Sequence, residues 1–177
     1  MDAWFGPFFI ACLLLGAAGL AKAIDPTMSV GALRGVGLRV PNRAVRAVGG
    51  VEAALAFAAI LTGDPILAIL VAASYLAFTG FVAIALFRHL PIGSCGCFGK
   101  VDTPPSGLHV LVNLGAVVAS VGIAAGHGRG LVTVLAHQPL AGIPFLVLGA
   151  VGTYAAFTAL TILPTMVRIP RSRIDAR

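Results

Sequence analysis

Five long apolar runs dominate the chain, over residues 4–24, 41–62, 66–87, 108–125 and 140–163. At 1.5 Å per residue, about 20 helical residues cross the roughly 30 Å hydrocarbon layer of a bilayer. Lipid offers no hydrogen bonds to backbone groups, so an apolar run of that length crosses as a helix. The runs therefore predict an all-α, polytopic membrane bundle of five helices. Composition agrees: 10% of the 177 residues are charged and 59% are hydrophobic. A soluble domain carries about a quarter charged residues, so lipid must be the solvent for most of this surface. The length allows one compact bundle and no separate soluble domain.

Local signals set the ends of the runs. Trp4 and Phe5 suit a membrane interface. Asp25-Pro26 ends the first run, because a proline disfavours helix at the residue before it. The segment Met1-Asp2-Ala3-Trp4 has no basic n-region, so the first run is expected to be a retained span, not a cleaved signal. Residues 27–40 place Met28, Leu33, Val36 and Val40 at helix-like spacing between Arg34 and Arg39. They fit either an amphipathic surface helix or an irregular loop. Within the second span, Gly50, Ala54 and Ala58 recur every four residues, a small-residue stripe that lets helices approach closely. Gly63-Asp64-Pro65 reads as a tight turn with proline at the first helical position, making spans two and three a hairpin. Residues 131–136 are apolar but too short to span, and are expected at the interface.

The formal charge is +6, mostly from arginine. The charges lie between the apolar runs instead of in one cluster, as topology determinants do, which argues against nucleic acid as a partner. With five spans the termini face opposite sides. One side holds Lys22, Arg34, Arg39, Arg43, Arg46, Arg88, Lys100 and the basic tail; the other holds Arg129. The positive-inside rule then places the N terminus outside and the C terminus inside. The bias to Ala, Gly, Val and Arg points to a GC-rich bacterium, hence to a bacterial inner membrane.

Five polar residues fall in or near the apolar runs. Glu52 lies near mid-depth of the second span, where a carboxylate marks a functional or paired site. Lys22 sits near the inner end of the first span, where an isolated lysine is expected to snorkel to the headgroups. Arg88 ends the third span, an ordinary place for a lipid anchor or a helix C-terminal charge. His109 and Asn113 are four residues apart and share one helix face. Together these residues come from four helices and lie at mid-depth or toward the inner side. That pattern predicts one polar site inside the bundle. His89, His127 and His137 sit in loops or at span ends and carry no assigned role.

Three cysteines complete the candidate set. Cys12 is mid-span among apolar neighbours and is expected to be buried and inert. Cys95 and Cys97 flank Gly96 in the polar interval between spans three and four. A disulfide between them closes a small, strained ring, which makes it oxidising and labile. Nearby cations (Lys100, Arg88 or Lys22) favour a thiolate. Binding or transport of a soft metal or a small apolar ligand is the competing reading: two thiolates hold Cu(I), or share Zn with His109. Zinc wants a fourth ligand that the sequence does not offer.

The run Cys95-Gly96-Cys97-Phe98-Gly99 resembles the signature of the MauE family of methylamine-utilisation membrane proteins, within a wider DoxX-like group. Ala21-Lys22, Asp25-Pro26, Glu52, His109 and Asn113 agree with it, and the likeness covers about residues 5–125. The resemblance implies a four-helix core over residues 1–125. Residues 126–177 then add a periplasmic turn, a fifth helix and a basic cytoplasmic tail. It also implies thiol–disulfide redox chemistry, with a thioredoxin-like or other membrane protein as partner. Cys95 and Cys97 would be the redox pair, supported by Glu52, Arg88 and His109, with Lys22 and Asn113 as cofactor-binding candidates. A quinone is the candidate cofactor. Two features depart from the family pattern. A fifth helix follows the core, which makes a subunit role in a larger complex an alternative. The cysteine loop also falls on the cytoplasmic side, where thiols are kept reduced.

Overall fold

A computed structural model of the chain describes residues 3–90, 104–126, 130–137 and 139–162. Among the described residues there are seven helices and no strand. They are α1 (Phe5–Ile24), α2 (Thr27–Gly35), α3 (Asn42–Thr62), α4 (Pro65–Phe87), α5 (Gly107–Gly126), α6 (Leu131–His137) and α7 (Pro139–Thr161). Five of them are long and apolar enough to cross a membrane. The short α2 and α6 lie between spans, as the sequence spacing requires.

Turn chemistry sets the ends of the helices. Gly63 takes the left-handed conformation (φ 64°) that closes α3. Asp64 caps α4 by accepting from the Ile66 and Leu67 N–H groups at 2.8 and 3.1 Å, with Pro65 at the first position. Residues 27–35 form a helix, not a loop. Asp25 accepts from the Thr27 N–H and hydroxyl at its start. Gly37 (φ 90°) ends it, with Leu38 N–H donating to Leu33 and Gly37 N–H to Arg34. The same 6→1 and 5→2 bonds close α4 (Leu90 to Ala85, His89 to Leu86), but there His89 takes the left-handed position at φ 49°.

The helices pair selectively. α1 lies closely against α3, and α4 packs chiefly on α5. The α3–α4 hairpin, although joined by a two-residue turn, has a thinner interface of its own. The α1–α3 crossing occurs at glycine. A Cβ on Gly19 would stand 2.6 Å from the Gly49 carbonyl oxygen, and one on Gly49 would stand 2.5 Å from that of Gly19. Only bare backbone permits that approach. The small-residue contact therefore runs along Gly49, Ala53 and Ala56, with Gly16 facing Ala56. Gly50 and Ala54, expected in that contact, are exposed instead. Both stripes are equally small; the one carrying Glu52 turns inward, because a mid-span carboxylate is least costly away from lipid.

The core of the bundle is apolar. Phe8, Cys12, Leu15, Val71 and Ile123 are fully buried, and the Tyr75 hydroxyl donates to the Ala11 carbonyl at 2.6 Å. Phe5, expected at the interface, is buried and stacks on Phe145 of α7 at 5.2 Å. Phe145 also meets Phe9, whose ring fills the space over Gly149. The fifth span thus docks on α1 as part of the bundle. Trp4 keeps its interfacial exposure while covering Gly122 of α5. Gly130, just before the other short helix, α6, lies against the Leu61 and Thr62 backbone.

Candidate functional site

Lys22 of α1 and Glu52 of α3 form a buried ion pair, Nζ to Oε2 at 2.6 Å. Lys22 is 7% exposed and Glu52 8%. The expectation that Lys22 snorkels is corrected here, and helix geometry gives the reason. Each Cα–Cβ bond in a helix leans toward that helix's own N terminus. At the C-terminal end of α1, that lean carries the lysine back into the bundle, away from the nearer surface. Glu52, on an antiparallel helix, leans the opposite way. The two side chains converge beside the Gly19–Gly49 crossing, where Lys22 Cβ lies against Gly49.

A third contact comes from α4. Lys22 Nζ stands 4.4 Å from the centroid of the Phe78 ring. The ring's negative face adds attraction for the ammonium, worth about 2 kcal/mol where water is excluded. Sequence pattern does not single out Phe78, because an aromatic inside an apolar span is ordinary core. Near the C-terminal end of α4, α2 folds back against it, with Ala32 and Val36 near Phe81 and Ala85. Beside the pair is a cavity of about 360 Å³, lined by Lys22, Glu52, Ser29 of α2, Phe78, Phe81 and Val45 among others.

The remaining candidates stand apart from this pair. His109 is buried near the start of α5, and its Nδ1 lies 2.9 Å from Ser106 Oγ. The Ser-x-x-His spacing at a helix start was a readable signal for that bond. Asn113, one turn on, is half-buried. Arg88 is exposed at the C-cap of α4. Among the described residues none of these three hydrogen-bonds to Lys22 or Glu52 or lines the cavity. Cys95, Cys97 and Lys100 lie outside the described residues. No group of three His, Cys, Asp or Glu side chains among the described residues is placed to hold a metal ion. Of the three residues in the metal alternative, Cys95 and Cys97 lie outside the described residues. Cys12 is fully buried in α1, with a free thiol.

An all-helical bundle with five spans and a charged pair buried within it defines a polytopic integral membrane protein. The family model described as methylamine utilisation protein MauE matches residues 2–126, well over half of the chain. The chain belongs to the MauE family. The match ends at the end of α5, so α6 and α7 lie beyond it. Comparison with curated proteins and with solved structures returned no match.

Proposed function

We propose that this protein is a membrane-embedded accessory factor of methylamine utilisation that performs thiol–disulfide exchange through Cys95 and Cys97. The observation that carries this reading is the Cys-Gly-Cys pair between two spans of a MauE-family chain. The exchange balances without a further reagent. A Cys95–Cys97 bond forms as a partner disulfide breaks, two electrons pass to the partner, and two protons follow its thiols. The reverse exchange is equally balanced, and the partner's redox state sets the direction. A thioredoxin-like or membrane-anchored protein has the chemistry to be that partner.

In this reading the described helices form the frame for the loop. α4 precedes it, α5 follows it, and the two helices pack on each other. Arg88, at the end of α4, is an exposed cation close in sequence to the pair, suited to favouring a thiolate. His109, held by Ser106, supplies a proton-transfer group at the start of α5. Glu52 belongs to the frame through Lys22. By the positive-inside rule the basic loops favour a cytoplasmic side for the cysteine pair in a bacterial inner membrane, and a cytosolic electron donor suits that reading.

Two substitutions test the proposal. Cys95→Ser and Cys97→Ser, each in the full chain, should shift the redox state of the partner protein trapped by acid quenching and alkylation. An unchanged partner in both variants would sink the thiol reading.

A further inference from the structure

The cavity beside Lys22 and Glu52 has the features of a ligand site, and three observations bear on what it takes. The first is unmet hydrogen-bonding capacity. An ammonium carries three N–H donors. Among the described residues Lys22 donates one to Glu52 Oε2 and faces the Phe78 ring with its charge. Glu52 Oε1 accepts no hydrogen bond from any described residue. The second is the character of the walls. Apart from the pair and Ser29 they are apolar, with Val45, Val48 and Phe81 prominent. The third is access. A second hollow of about 380 Å³ adjoins the first and shares Val48, Glu52, Ala77 and Phe78 with it. Val48 and Val51 are 54% and 68% exposed on the membrane-facing side of α3. The thin α3–α4 interface therefore leaves a cleft open toward lipid.

These features exclude two ligand classes. A metal cation would meet the ammonium, and no cluster of three ligating side chains exists among the described residues. An anion gains nothing from a pair whose charges cancel, inside walls that do not solvate it. What fits is a neutral, bilayer-dissolved molecule with an apolar body and one oxygen-bearing head, a carbonyl accepting from Lys22 or a hydroxyl donating to Glu52. The volume lies in the range of small-molecule sites, about 300–1,000 Å³. We infer that the α3–α4 cleft is an intramembrane site for such a molecule, entered sideways from the bilayer, with the Lys22–Glu52 pair holding the oxygen head. A membrane quinone or quinol and the glycerol-ester region of a lipid share this chemistry. The inference does not depend on the cysteines.

The test uses the full chain in nanodiscs of defined phosphatidylcholine and a radiolabelled short-chain ubiquinone analogue. A parallel arm identifies molecules that co-purify in detergent by mass spectrometry of an organic extract. Saturable quinone binding assigns the quinone source. A stoichiometric lipid in the extract, without saturable quinone binding, assigns the lipid source. In either case Val48→Trp and Ala77→Leu, which fill the cleft and leave the ion pair intact, should weaken binding or retention about tenfold, or 1.4 kcal/mol. Lys22→Met/Glu52→Met should do the same. Occupancy unchanged in correctly folded Val48→Trp and Ala77→Leu, or no stoichiometric ligand in either arm, overturns the inference.

Discussion

Lys22 and Glu52 meet across a helix crossing that only glycine permits, and the ion pair depends on that crossing as much as on its own charges. The Gly19–Gly49 contact brings the α1 and α3 backbones together. The opposite leans of the two side chains then close the 2.6 Å contact. Removing one partner leaves an uncompensated buried charge, which costs about 3–5 kcal/mol. Replacing both with apolar residues of similar size is often close to neutral. Lys22→Met and Glu52→Gln should each destabilise by that amount in thermal unfolding of the purified protein. Lys22→Met/Glu52→Met should recover most of the loss. A double variant as unstable as the sum of the two singles would contradict the pairing.

The crossing itself makes a second prediction. A side chain at Gly49 meets the Gly19 carbonyl oxygen, the Lys22 Cβ and the Ala23 amide within 2.8 Å. Backbone does not yield as a flexible side chain does, so the helices must part. Gly49→Val should cost more than the 1–3 kcal/mol typical of an overpacked core, roughly 4 kcal/mol. Gly50→Val, one residue along in open space, should stay within about 1 kcal/mol. Equal stability of the two variants in the same unfolding assay would remove the crossing from the account.

His89 is strained where the fold needs a left-handed residue. Its φ of 49° closes α4 with the same bonds that end α2, where glycine fills the position. A left-handed residue with a Cβ costs about 1–2 kcal/mol. His89→Gly should therefore raise stability by about 1 kcal/mol, read as a higher unfolding midpoint. A lower midpoint would mean that the imidazole makes a contribution larger than the strain.

Span positions were legible because lipid imposes a length and a polarity that no other environment shares. All five spans fall within a few residues of their apolar runs. Asp64 and Pro65 also announced their turn, since capping depends on neighbouring residues alone. Rotation of each helix about its axis was less legible. Gly50-Ala54-Ala58 and Gly49-Ala53-Ala56 are equally small, and what separates them is Glu52, which turns the second stripe inward toward Lys22. Lys22 was misread for a related reason. Its depth allowed snorkelling, but the direction of its Cα–Cβ bond did not. Phe78 gave no signal, because its role exists only once Lys22 is buried beneath it. The family was legible from five residues around the Cys-Gly-Cys run, and the matched residues 2–126 agree with the stretch over which the likeness was read.

The proposed orientation, with the basic loops on the inner side, is open to a labelling test. With Arg34, Arg39, Arg43 and Arg46 on the side of α2, a membrane-impermeant maleimide should not reach a cysteine placed at Gly37 in intact spheroplasts. A cysteine at Gly63, on the opposite end of α3, should label readily. The reverse pattern would invert the topology and move Cys95 and Cys97 to the periplasmic side.

The thiol account is tested most directly by counting reactive thiols at Cys95 and Cys97 in cells. Cys12 is fully buried and should not react in the folded protein, and Cys12→Ser removes it from the count altogether. Acid-quenched cells treated with a mass-tagging maleimide should show two tags after reduction. With an active partner, a fraction should carry no tag, and that fraction should shift when the partner is deleted. Two tags on every molecule under all conditions, oxidant included, would contradict thiol–disulfide exchange at this loop.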